Sequence, residues 1–138
     1  MAAGSYHQGR HGVLVWDAPS RQLKPAVLPS LDHVAQVVFS PDGRYLAATC
    51  CDAGVVVYHT ATFQRRLFVA GYNPMGVAFS PDSQLLAIPA IQFGVVRLWN
   101  VTMNREEAVL SHPGDPRWVA FRSDGQALVT AHPRSVRL

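Results

Sequence analysis

Asp42, Asp82 and Asp124 recur in one sequence setting, and that recurrence limits the chemistry open to this chain. Each lies three residues past an apolar run ending in Phe: Phe39-Ser40-Pro41-Asp42, Phe79-Ser80-Pro81-Asp82 and Phe121-Arg122-Ser123-Asp124. General acid–base work needs carboxylates or histidines converging on one reacting group. Three aspartates in equivalent turns are explained without catalysis. Of the other carboxylates, Asp17, Asp32, Asp52 and Asp115 are scattered, and Glu106-Glu107 reads as an exposed pair in an outer strand. His7 and His11 are four apart, a spacing that faces one way on a helix. The pattern places them in a loop between strands, so no metal site is expected. His33, His59, His112 and His132 are isolated from one another. Neither a Gly-x-Ser-x-Gly nucleophile elbow nor a phosphate-cradling glycine loop before a helix occurs. The residues predict no catalytic group, metal or cofactor.

Cys50 and Cys51 are the only cysteines. Neighbouring cysteines seldom bridge each other, so they read as reduced thiols in a strand, in a reducing compartment. No apolar h-region follows Met1, and no apolar run approaches a membrane span, so a cytoplasmic chain with no membrane contact is expected. The net charge of +3 is spread over dispersed arginines rather than a basic stripe, which argues against nucleic acid. Apolar residues make up 49% and charged residues 15%. The first figure supports a packed core; the second is low enough to suggest that part of the surface is covered by something else.

The elements that must position these residues repeat. Val37-Val38-Phe39-Ser40-Pro41-Asp42-Gly43 returns at Val77 and at Val119, at spacings of 40 and 42 residues. Val13-Leu14-Val15-Trp16 returns as Val55-Val56-Val57-Tyr58 and Val96-Arg97-Leu98-Trp99, with the aromatics 42 and 41 apart. Ser-Pro-Asp-Gly has type I turn chemistry. It predicts a strand a near 34–39 and a strand b near 45–50, followed by strands c at 55–58 and d at 64–69. Residues 104–110 could form one helical turn, but the repeat places a strand there. Runs apolar on both faces, such as Gly54–Tyr58, predict small sheets sandwiched between neighbours, as radial packing of four-stranded sheets provides.

These residues resemble the WD-repeat family, whose blades carry a "VAFSPDG" strand a and turn and a "VRLWD" strand c. The resemblance covers essentially the whole chain. It implies an all-β fold of WD-repeat β-propeller blades, four-stranded and antiparallel, in an incomplete, open propeller of about three and a half blades. The expected division is 1–33 (strands b, c and d of a first blade), 34–70, 71–112, and 113–138 (strands a, b and c of a fourth). Such a chain is expected to be a fragment of a longer protein or part of an oligomeric ring, with self-association through open edges.

Family members often hold each blade with a hydrogen-bonded tetrad of His, Ser or Thr, Asp and Trp. Here the His position falls on Ser30, Ala70 and His112, the Asp position on Asp52, and the Trp position on Trp16, Tyr58 and Trp99. No blade is complete, so apolar packing is expected to carry the fold. The resemblance also implies a face built from the d–a and b–c connections. The first hold Asp32, His33, Tyr72, Asn73, Met75, Asp115, Arg117 and Trp118; the second hold Tyr6, His7, Arg10, Gln92, Phe93 and Arg134. Aromatics and Arg anchor protein interfaces. Tyr72, Phe93, Arg117 and Trp118 are therefore the expected contacts of a protein or peptide partner. The expected function is a non-catalytic interaction scaffold. The alternative is a hydrolase or lactonase-like propeller with a central-channel site, which the apolar inner strands argue against.

Overall fold

The computed structural model describes residues 2–7, 10–29, 33–132 and 135–137, with side chains over 12–23 and 33–132. Ser30, Asp32 and Arg134 lie outside the described residues, as do the side chains of Tyr6, His7, Arg10 and His11. The first sheet runs β1 (Ala2–His7), β2 (Arg10–Trp16), β3 (Leu23–Pro29). The second runs β4 (Val34–Phe39), β5 (Tyr45–Cys50), β6 (Gly54–His59), β7 (Arg65–Ala70). The third comprises β8 (Ala78–Phe79), β9 (Leu85–Ala90), β10 (Val95–Asn100) and β11 (Arg105–Ser111). The fourth comprises β12 (Trp118–Phe121), β13 (Leu128–His132) and β14 (Ser135–Arg137). All pairings are antiparallel between chain neighbours, so each sheet is a meander. Residues 105–111 form a strand, as the repeat requires, and the only described helical turn is a 3-10 turn at Ile91–Phe93.

Period-two alternation explains why strands of the second sheet are apolar on both faces. Tyr45, Ala47, Val55, Val57, Leu67 and Val69 pack with Val77, Phe79, Leu86 and Ile88 of the third-sheet segment. The intervening Leu46, Ala48, Cys50, Val56 and Tyr58 pack with Val13 and Val15 of the first sheet. The sheets stand face to face with β4 against β1, β2 and β8, and with β12 against β8 and β9. This sequential stacking is that of an incomplete propeller.

The turns repeat in atomic detail. The Ser40 hydroxyl donates to Asp42 Oδ1 at 2.6 Å and accepts the Tyr45 N–H at 2.9 Å. Ser80 does the same with Asp82 and Leu85 at 2.5 and 2.9 Å. In the fourth sheet Arg122 stands where the Ser would be, and its Nε donates to Asp124 Oδ1 at 2.8 Å. A second device recurs at the strand c aromatics. The register between strands c and d shifts immediately before Trp16, Tyr58 and Trp99, which then sit opposite Leu23, Arg65 and Glu106. Such a bulge adds twist and re-aims the bulged side chain.

Candidate interaction face

The connection from β7 to β8 turns through three consecutive positive-φ residues, Gly71 (φ 79°), Tyr72 (φ 75°) and Asn73 (φ 44°), before the buried Pro74. That backbone is costly for non-glycine residues. It places the Tyr72 ring beside Phe93, edge to face, with centroids 5.8 Å apart. The Arg97 guanidinium carbon lies 4.7 Å from the Tyr72 centroid, a cation–π geometry. Arg97 also forms an ion pair with Glu106 on the neighbouring strand. Phe93 is 62% exposed, whereas Tyr72 is half-buried against the core between the second and third sheets. Tyr72 and Phe93 thus form one cluster with different duties: Tyr72 joins face to core, and Phe93 presents its ring outward. Arg97 was not among the sequence candidates. The signal was available in its alternation with Trp99 along β10, which sets both on one side of the sheet.

Trp118 meets the same connection from the other side, at Gly76. Trp118 opens β12 and is 46% exposed. Its Cδ1 lies 2.8 Å from where a Cβ on Gly76 would stand. Gln36 reaches the same point from β4, its Oε1 accepting the Val77 N–H at 2.7 Å. Gln36, Gly76 and Trp118 each precede the Val of their repeat, so three equivalent positions converge where the inner strands begin. The Arg117 backbone N–H donates to the Ala131 carbonyl at 3.0 Å, and its Nε is buried without a hydrogen-bond partner. No hydrogen bond or ring contact joins Arg117 to Tyr72 or Phe93 among the described residues.

Of the tetrad positions, His112 and Trp99 share no hydrogen bond with one another. His112 Nδ1 lies 3.3 Å from the Gly114 carbonyl, and Trp99 Nε1 is buried without a hydrogen-bond partner among the described residues. Pro89 occupies β9 where β5 carries Thr49, so the third sheet has no hydroxyl there. Thr49 itself accepts the Gln36 N–H at 2.8 Å. Tyr58 is buried, and that burial, with the nearby Cys50, pushes its hydroxyl pKa up to about 12. Trp16 and Asp52 are exposed. Cys50 and Cys51 are not disulfide-bonded. No group of three or more His, Cys, Asp or Glu positioned to hold a metal occurs among the described residues. No helix among them is long and apolar enough to cross a membrane.

Residues 27–59 match the family model described as "WD domain, G-beta repeat". No curated protein matches the chain. A chain in the structure titled "Crystal Structure of Mitotic Checkpoint Complex" superposes with a TM-score of 0.72 at 24% identity. That match covers 86% of this chain and 38% of the other. A chain of Kuenenia stuttgartiensis hydrazine synthase superposes with a TM-score of 0.81 at 17% identity, covering 99% of this chain and 54% of that one. At these identities the likeness concerns the fold. The chain spans about two fifths of the length of the first matched chain and about half that of the second.

Proposed function

We propose that this chain, a run of WD-repeat β-propeller blades, is a non-catalytic scaffold that binds a protein or peptide partner through the face carrying Tyr72, Phe93, Arg117 and Trp118. The observation that carries this reading is the Tyr72–Phe93 pair with Arg97 against the Tyr72 ring: an exposed aromatic resting on a half-buried one. Rigid aromatics supply contact area at low entropic cost, which is how interface anchors work. The apolar inner strands and the absence of a convergent acid–base group among the described residues favour binding over turnover. The same reading places the chain in the cytoplasm as part of a longer propeller. There, exposed apolar edge positions such as Leu23, Val109 and Leu110 are covered by further blades or by a second copy.

Selection of peptides from a random displayed library tests the face. Enriched peptides should bind wild type and lose affinity with Phe93→Ala and Arg117→Ala, while far-UV circular dichroism stays unchanged. Peptides bound equally well by both variants would remove this face from consideration. Light scattering of the purified chain tests the edges: a concentration-independent monomer would contradict self-association.

A further inference from the structure

The turn joining β6 to β7 lies at the opposite end of the second sheet from the aromatic cluster. A cleft of about 330 Å3 there is lined by His59, Thr62, Gln64, Arg65 and Arg66. We propose that it is a second binding site, independent of the face above, for a phosphoryl group.

Every polar side chain in the lining can donate, and none is a carboxylate. The hydrogen bonds of the turn direct this. The Ala61 N–H donates to His59 Nδ1 at 3.3 Å, so the neutral imidazole carries its proton on Nε2. The Gln64 N–H donates to Thr62 Oγ1 at 3.3 Å, which leaves the hydroxyl proton for an outside acceptor. Arg66 Nη2 donates to the Thr102 carbonyl of the adjacent turn, which fixes one edge of the guanidinium. The turn is held from within: His59 N–H donates to the Gln64 carbonyl at 2.9 Å, and Phe63 N–H to the His59 carbonyl at 2.7 Å. Phe63 is in the left-handed region at φ 55°.

Two guanidiniums, an imidazole N–H, a hydroxyl and a carboxamide suit three acceptor oxygens carrying nearly two negative charges better than the two oxygens of a carboxylate. The cleft is a single group wide in charge, with two arginines rather than a stripe, which fits one phosphate monoester and not an extended nucleic-acid backbone. A phosphorylated peptide and free phosphate share this chemistry.

The test is an NMR titration of the full chain with capped phosphoserine, with inorganic phosphate and with acetate, each at constant ionic strength. Saturable shifts at Thr62, Gln64 and the Arg65 Nε–H are expected with both phosphates, weakened roughly tenfold or more in Arg65→Ala and less in Arg65→Lys. Preserved spectral dispersion shows that the exposed substitution leaves the fold intact. Tighter binding of phosphoserine than of phosphate assigns a peptide-borne group, and equal binding a free oxyanion. Lack of saturation, equal affinity for acetate, unchanged affinity in Arg65→Ala, or tighter binding of a single-stranded oligonucleotide through the same residues would each overturn the proposal. Phe93→Ala leaves these shifts unchanged, so failure here is separable from failure of the aromatic face.

Discussion

The side-chain oxygen of Ser83 accepts the backbone N–H of Asp42 from the neighbouring blade at 3.1 Å. Ser83 is buried and left-handed, at φ 63°, where the equivalent turns place Gly43 at 72° and Gly125 at 73°. A non-glycine residue pays roughly 1–2 kcal/mol for that conformation. The hydrogen bond to the neighbouring turn offsets part of that cost. Ser83→Ala keeps the backbone cost and removes the acceptor, so it should lower unfolding stability by about 0.5–1.5 kcal/mol in urea titration. Ser83→Gly relieves the backbone while losing the same bond, and should fall between the two. If Ser83→Ala matches wild type, the inter-blade bond contributes nothing.

Acid should weaken the same turns. The Ser40 hydroxyl, then the Arg44 N–H, hold the Asp42 carboxyl well below its ordinary value of 3.8. The Ser80 hydroxyl, then the Gln84 N–H, lower Asp82. The Arg122 side chain, then the Gln126 N–H, lower Asp124. Each is thus more readily ionised folded than unfolded. The stability this lends is complete above the ordinary value and is lost as pH falls through the folded one. The urea midpoint should therefore drop between about pH 5 and about pH 2, and drop less in Asp82→Asn. An identical acid limb in that variant would show that the turn carboxylate is not the titrating group.

The repeat and its turns were legible because their causes are local. Ser-Pro-Asp-Gly sets its own backbone, and alternation along β5 and β6 shows which residues face which neighbour. Even Ser83 could be flagged by its place where Gly43 and Gly125 stand. The Gln36 contact with Val77 could not, because it depends on how far apart two sheets stand. Nor could the division of labour between Tyr72 and Phe93: Gly71 marks a turn, but not that the left-handed backbone continues through Tyr72 and Asn73. The basic cleft at His59 and Arg65 was hidden for another reason: its donors become a set only when a turn folds them together.

The division between Tyr72 and Phe93 has its own consequence. Phe93 is largely exposed, so Phe93→Ala should change stability by no more than about 0.5 kcal/mol. Tyr72→Ala removes core packing and the Arg97 contact, leaves the strained backbone in place, and should cost more than about 1 kcal/mol. Tyr72→Gly should recover part of that loss by relaxing φ. Chemical denaturation of the three variants would decide. Equal losses for Phe93→Ala and Tyr72→Ala would mean that Phe93 is a core residue and not an anchor.

Gly76 and Trp118 should be energetically coupled. A Cβ at residue 76 would stand 2.8 Å from Trp118 Cδ1 and 3.3 Å from Gln36 Oε1. Both neighbours cannot yield at no cost, since the amide oxygen is engaged with Val77 and the indole rests on the glycine. Gly76→Ala should therefore push the indole aside, shift Trp fluorescence and destabilise the chain by about 1–3 kcal/mol. Trp118→Ala removes the larger obstacle. In the double variant the alanine at 76 should cost at least about 0.5 kcal/mol less than it does alone. Additive losses would show that the indole does not pack on Gly76 in solution. Coupling would show that this aromatic, although exposed on one face, is held in place by the neighbouring blade, as a preorganised binding anchor has to be.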